Sequence, residues 1–249
     1  MTAAVLRAEL FKQRTTRTTL SLFATMLGLV LLADLLHGYG LPAKDIGSAG
    51  RQLQLLAPGE IIGTLLAALL GAMSITGEIR HGTIRPTLLV SPDRTRLIVA
   101  KVWASMLAGA GFGLTAGALA IGASTAALRS RGVAIQLDPG DYVLPLIGGA
   151  AAAALWAGIG VGVGAVIRNQ VATLVGLCAW LLFVENLLLG DLANLDIGRF
   201  LPGAAAAALS GQKPETPLLA PAAALLLLAL YAAAAAAIGC LATNRRDVP

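Results

Sequence analysis

The chain has 249 residues and a net charge of +5, with 57% apolar side chains and only 12% charged ones. Soluble globular proteins carry about a quarter charged residues, so this composition excludes a soluble globular domain and indicates an integral membrane protein. The two cysteines and two histidines are too few and too scattered to form a zinc site of the usual kind.

The first 17 residues are polar and basic and precede the first apolar stretch. Leu6, Leu10 and Phe11 can share one face of a helix, and the basic residues Arg7, Lys12, Arg14 and Arg17 supply charge. This pattern is typical of a helix that lies in the inner headgroup layer of a membrane. The alternative is a plain basic flank that only sets the topology.

The remainder of the chain, residues 18–249, contains six apolar stretches that predict six transmembrane helices. A helix needs roughly 20 residues to cross a hydrocarbon core of about 30 Å. The stretches do not alternate with the period of two that a membrane barrel requires, so the predicted fold is all-α. The predicted spans are 20–36, 61–76, 102–124, 143–167, 171–189 and 219–243.

Positive charge is concentrated on one predicted side of this bundle. With a cytosolic N-terminus, the inner segments hold twelve of the eighteen Lys and Arg residues. This excess follows the positive-inside rule, which predicts a multi-pass protein of the inner (plasma) membrane with both termini in the cytosol.

The longest inner loop, residues 77–101, is the most informative polar passage. Gly77 and Gly82 are expected to break the helix that leaves the membrane, and residues 83–90 read as a short amphipathic helix displaying Ile84, Leu88 and Leu89. Such a helix, held crosswise beneath the bundle, could dock in a groove of a partner. An ordinary basic loop that only sets orientation is the alternative.

The third helix is expected to begin within this loop. Ser91, Pro92 and Asp93 combine an N-cap serine, a proline at the first helical position and an acid near the helix N-terminus. The helix would therefore start in the cytosol and enter the membrane after Lys101.

Motifs for catalysis are missing from the sequence. It contains no G-x-x-x-x-G-K-[ST] phosphate loop, no H-E-x-x-H and no G-x-S-x-G. We therefore expect no catalytic residue, no cofactor or metal bound by this chain, and no nucleic-acid partner.

The inner loop resembles that of the ABC-2 type transporter permeases. The matching residues are Glu78, Gly82, Thr83, Leu88, Leu89, Pro92, Arg94, Arg96 and Lys101. The opening LRAELFKQRTTRTTL and the later WLLFVENLL are also similar to members of that family. The resemblance covers the whole six-helix plan.

This resemblance implies roles for the segments and for partner proteins. The N-terminal segment would be an elbow helix, and residues 83–90 would be a coupling helix seated on a separate ATPase subunit that binds ATP and Mg²⁺. The implied contacts with that subunit are Glu78, Arg80, Gly82, Thr83, Ile84, Arg85, Leu88, Leu89, Pro92, Arg94 and Arg96. A second permease copy or a homologue, together with membrane lipid, would complete the assembly.

Three acidic residues lie within or beside the predicted spans. Asp34 and Glu60 stand at outer helix ends, where we expect them to be solvated. Glu185 lies about 21 Å from the inner end of the fifth span, at 1.5 Å per helical residue. An acid at that depth is a functional candidate by default. It could pair with Arg199, belong to an outer gate or contact substrate.

Two further classes of function remain open from the sequence. A membrane scaffold or sensor could use the same inner loop to dock a partner that is not an ATPase. An intramembrane enzyme is disfavoured because the paired catalytic groups are missing. The resemblance favours the membrane subunit of an ATP-driven exporter for an amphiphilic or hydrophobic substrate.

Overall fold

Helices make up all the regular structure in the part of the chain that can be described. The computed structural model describes residues 3–83, 93–185, 187–188, 197–212 and 217–245. The α-helices in these ranges are α1 Ala3–Thr15, α2 Arg17–Gly40, α3 Ala49–Gln54, α4 Ala57–Arg80, α5 Arg94–Ser130, α6 Gly149–Ile167, α7 Gln170–Ala179, α8 Pro202–Leu209 and α9 Pro221–Arg245. Turns of π-helix at Leu144–Gly148 and Trp180–Val184 precede α6 and extend α7, respectively.

Five helical stretches in the described residues are long and apolar enough to cross a membrane. They are Arg17–Gly40, Ala49–Arg80, Arg94–Ser130, Pro139–Ile167 and Pro221–Arg245. They cover five of the predicted spans, confirm the all-helical fold for the described residues and are compatible with a multi-pass membrane protein. The predicted span 171–189 is represented by the shorter apolar helix Gln170–Val184, so a sixth span stays a prediction.

Helices α4 and α6 form the centre of the bundle. The most apolar windows of their spans are each 72% buried, whereas those of α2 and α9 are 17% and 22% buried and lie at the periphery. The two central helices cross with their backbones in contact. A Cβ built on Gly71 would lie 1.9 Å from the Ala157 carbonyl oxygen, and one on Gly160 would lie 2.1 Å from that of Ala68. The glycines of α6 therefore serve packing within the chain.

Replacing Gly160 with alanine is expected to destabilise the fold, because the new methyl group forces α4 and α6 apart. Overpacking of this kind costs about 1–3 kcal/mol, which thermal unfolding in detergent would measure. The matched control is Gly122→Ala in α5, where a built Cβ meets nothing within 4 Å. Equal melting temperatures for both variants would contradict the close crossing.

The inner end of α4 differs from the prediction. Gly77 does not break the helix, which continues to Arg80 and ends in a Schellman motif. In this motif Thr83 N–H donates to the Glu78 carbonyl oxygen and Gly82 N–H to that of Ile79, at 3.0 and 3.2 Å. Gly82 takes the positive φ of 68° that the motif requires.

The start of α5 also differs from the prediction. Asp93 is the N-cap, since its side chain accepts a 3.0 Å hydrogen bond from Arg96 N–H. The predicted N-cap, Ser91, and the predicted first helical residue, Pro92, lie outside the described residues. The helix therefore begins about two residues later than its sequence signal suggested.

The segment between the last two predicted spans contains a buried helix, α8. Its alanines are small enough to let its backbone approach the central and last helices. Ala205 and Ala206 are almost completely buried, and a Cβ on Gly148 would lie 1.9 Å from the Leu209 carbonyl oxygen. The alanine run of α8 is therefore a packing surface.

Candidate functional site: a buried ion-pair cluster and an outer acidic cavity

Four charged side chains meet where α1 packs against the C-terminal end of α4 and the N-terminal part of α5. Lys101 Nζ lies 2.8 Å from Glu9 Oε2 and 2.7 Å from Glu78 Oε1. Lys12 Nζ lies 2.9 Å from Glu9 Oε1 and 3.0 Å from Glu78 Oε1. We call these four residues the ion-pair cluster. It joins the N-terminal helix to both helices that flank the inner loop.

Within the cluster, Lys101 and Glu9 are buried and Lys12 is partly exposed to solvent. The Lys101 side chain is 1% exposed and that of Glu9 is 4% exposed, whereas that of Lys12 is 45% exposed. Lys101 Nζ also donates to the Ser74 carbonyl oxygen at 3.2 Å, so all three of its donors have acceptors. A buried charge is tolerated only when it is paired and hydrogen-bonded in this way.

A second polar layer lies beside the cluster and also fixes α1. Gln13 Nε2 donates to Ser105 Oγ at 2.8 Å, and Ser105 Oγ lies 3.4 Å from Ser74 Oγ. Glu9 and Gln13, one helical turn apart, therefore form the face of α1 that packs on the bundle. Phe11, predicted to share an apolar face with Leu6 and Leu10, is 67% exposed. The N-terminal helix docks through polar groups.

The ion-pair cluster makes stability depend on pH at both extremes. Burial would raise the pKa of Glu9, but the adjacent Lys101 and Lys12 hold it below the ordinary 4.5. Burial would lower the pKa of Lys12, but hydrogen bonds to Glu9 and Glu78 hold it above 10.5. The contribution of Glu9 to the free energy of unfolding is therefore lost as pH falls below 4.5 and through the pKa of Glu9 in the folded state. The contribution of Lys12 is lost as pH rises above 10.5 and through the pKa of Lys12 in the folded state.

We therefore expect Glu9→Gln to lower the melting temperature at neutral pH, and we expect this difference to shrink as pH falls below 4.5. There the unfolded wild type takes up a proton that the folded protein binds only at lower pH, so the wild type loses stability that the glutamine variant never had. Thermal melts of both proteins from pH 7 to pH 3 would measure the difference. A difference that keeps its size at pH 3 would contradict the charged state of Glu9.

The structure describes six of the eleven predicted contacts with a partner subunit. Glu78 belongs to the ion-pair cluster. Arg80 is exposed and donates to Gln170 Oε1 at 3.4 Å. Arg94 donates to the Thr243 carbonyl oxygen at 3.0 Å, which ties α5 to the end of α9. Arg96, with a 48% exposed side chain, pairs with Asp93 at 3.6 Å. Gly82 and Thr83 close the Schellman motif. The other five predicted contacts lie outside the described residues: Ile84, Arg85, Leu88, Leu89 and Pro92.

At the other end of the bundle, Glu185 is bound by backbone and side-chain donors. Its Oε1 accepts from Trp180 Nε1 at 2.5 Å and from Gly203 N–H at 2.9 Å, and the carboxylate also accepts from Ala204 N–H. The last two donors belong to the first turn of α8. Negative charge is stabilised there because free N–H groups and the helix dipole point outward. Among the described ion pairs there is none between Glu185 and Arg199.

A second buried acid, Glu60, lies close to Glu185. Both line a cavity of about 220 Å³ between α4, α7 and α8. Glu60 accepts from Thr64 Oγ1 at 3.2 Å and from Gln212 Nε2 at 2.6 Å. The turn at Gly211, with a φ of 76°, places Gln212 there. We call this the outer acidic cavity.

Two of the expectations for acidic residues were therefore wrong. Glu60 is 7% exposed and Asp34 is 1% exposed, so neither is solvated. The helices extend past the predicted span ends, and α8 covers Glu60. Neither carboxylate oxygen of Asp34 has a hydrogen-bond partner within the described residues.

Sequence reasoning missed the roles of Glu9, Lys12 and Lys101. One signal was present, since Glu9 is the only acid among the first 33 residues of a basic segment. A lone acid in such a segment suggests a specific partner. The partner itself lies 92 positions away along the chain, so its identity required the fold.

No protein-family model matches the chain, and no curated protein matches it.

Proposed function

We propose that this chain is the membrane permease subunit of an ATP-driven exporter, with six spans and an inner loop that docks on a separate ATPase subunit. The observation that carries the proposal is the ion-pair cluster on the two flanks of that loop. Glu78 lies five residues before Thr83, and Lys101 lies eight residues after Asp93. A rigid base of this kind is what a force-receiving loop requires.

The cluster supports a route for force from the loop to the bundle. A push on the loop reaches α4 through Glu78 and α5 through Lys101. Glu9 and Lys12 join both flanks to α1, so the two helices and the N-terminal helix move together. Helix α4 then carries the displacement to Glu60, at its outer end, because a helix moves as a rigid element.

The outer acidic cavity is the proposed exit. Its wall includes Glu60 on α4 and Glu185 behind α7, with α8 closing the cavity beneath the outer surface. The remaining walls are mostly alanine and leucine, which suits an amphiphilic or hydrophobic cargo. Movement of α4 relative to α8 changes the shape of this cavity. Glu185 is a positioning residue for α8 in this scheme.

A docking experiment tests the proposal with Leu88→Asp, which places a charge on the predicted coupling helix. We expect this variant to lose capture of an ATPase that carries G-x-x-x-x-G-K-[ST], while Leu88→Met retains it. Glu78→Arg is unsuitable as a probe of docking, because it breaks the ion-pair cluster. If both variants still capture the ATPase, or if the chain captures a protein that is not an ATPase, the membrane scaffold is favoured.

A further inference from the structure

A large cavity opens beside the ion-pair cluster. It measures about 790 Å³ and lies between α1, the start of α2, the inner half of α4 and the start of α7. Its apolar lining is formed by Leu22, Leu70 and Met73, each within a predicted span. Apart from Gly77, its other lining residues are polar. A cavity with an apolar part and a polar part fits an amphiphile.

The polar wall carries both signs of charge. It includes the carboxylates of Glu9 and Glu78 and the cations of Lys12 and Arg80, and Lys101 lies against both carboxylates. Around them are hydroxyl and amide groups, namely those of Gln13, Thr16, Thr18, Thr19, Ser74, Thr83 and Gln170. Because both signs of charge are present, the wall suits a ligand that carries both charges.

Two buried acceptors in this wall have no donor within the described residues. Glu78 uses Oε1 for both lysines and leaves Oε2 without a partner, and Gln13 uses Nε2 for Ser105 and leaves Oε1 without one. Both oxygens are shielded from solvent, so binding requires a small rotation of each side chain toward the cavity, where a ligand ammonium supplies several N–H donors. At the same wall, exposed Arg80 has only the long 3.4 Å contact to Gln170 among its described hydrogen bonds, so its guanidinium has donors for a phosphate.

We propose that this cavity binds a zwitterionic lipid of the inner leaflet, with a primary ammonium at Glu78 and Gln13 and a phosphate at Lys12 and Arg80. The acyl chains follow Leu22, Leu70 and Met73 toward the membrane. Binding of this lipid requires no ATPase partner. The lipid-site proposal is therefore independent of the proposed permease function.

The test measures binding of dihexanoyl phosphatidylethanolamine to the purified chain in detergent by native mass spectrometry. Gly77→Leu should weaken binding at least tenfold, because the new side chain projects into the cavity beside Glu78 and occupies space that the lipid needs. The fold should tolerate it, since a Cβ built on Gly77 meets nothing within 4 Å. The matched control is Gly28→Leu on α2, equally open and away from the cavity, which should bind as the wild type does.

Ligand variants separate the parts of the recognition. Phosphatidylcholine lacks the N–H donors and phosphatidylglycerol lacks the ammonium, so both short-chain lipids should bind at least tenfold more weakly. Glycerophosphoethanolamine has the headgroup without acyl chains and should also bind more weakly. Arg80→Gln should weaken binding of the phosphatidylethanolamine. Wild-type binding by Gly77→Leu, equal binding of the three lipids, or equal binding of the free headgroup would overturn the proposal.

Discussion

Replacing Lys101 with methionine is expected to release α1 and to lower the free energy of unfolding by about 3–5 kcal/mol. The substitution leaves Glu9 and Glu78 facing each other with only the half-exposed Lys12 between them. Removing one partner of a buried pair is costly because the other charge stays desolvated. Thermal unfolding in detergent measures the loss of stability, and trypsin cleavage at the exposed Arg14 reports release of α1.

Two controls separate charge from packing. Lys12→Met removes a cation whose side chain is 45% exposed, and solvent-screened pairs contribute at most about 1 kcal/mol. The triple variant Glu9→Leu, Glu78→Leu, Lys101→Met removes the buried charges together and should recover most of the stability. A single Lys101→Met variant as stable as the wild type would show that the cluster does not hold α1.

Replacing Glu185 with leucine is expected to detach α8 from the end of α7. The leucine leaves Trp180 Nε1 and the N–H groups of Gly203 and Ala204 without their acceptor. Each buried donor left unsatisfied costs about 1–3 kcal/mol. Thermal unfolding would show the loss, and the fluorescence of Trp180 would shift as its indole loses its partner.

The matched variant is Glu185→Gln, which keeps a side-chain oxygen for Trp180 and Gly203. We expect its stability to lie within about 1 kcal/mol of the wild type, because neutral hydrogen bonds replace charge-assisted ones. Gly203→Ala should resemble the leucine variant, since a Cβ built there would lie 1.8 Å from Glu185 Oε2. If the leucine and glutamine variants were equally stable, the proposed role of Glu185 in positioning α8 would be contradicted.

The helices themselves could be predicted from composition, because few polar residues interrupt the long apolar stretches. Their ends could not be predicted as well. Gly77 is tolerated inside α4 because His81 N–H keeps its intrahelical hydrogen bond to the Gly77 carbonyl oxygen. Gly82 adopts the left-handed conformation that ends the helix. The two glycines look alike in sequence and differ in backbone conformation and in local hydrogen bonds.

The sites depended on contacts between distant parts of the chain. Glu78 stood out in the sequence through the family resemblance and Glu185 as an acid deep in a predicted span, but their partners did not stand out. Lys101 was expected to mark the membrane entry of the third helix, and it is instead the buried centre of the ion-pair cluster. The role of α8 was hidden because a run of alanines carries no periodic signal that distinguishes a buried helix from an unpacked segment.

The most direct measurement of the central claim is ATP hydrolysis in proteoliposomes that contain this chain and an ATPase encoded beside it. The proposed function predicts that the chain stimulates hydrolysis by the ATPase, that an amphiphilic cargo raises the rate further, and that Leu88→Asp removes both effects while Leu88→Met preserves them. An ATPase whose rate is the same with and without the chain would contradict the assignment as its membrane subunit.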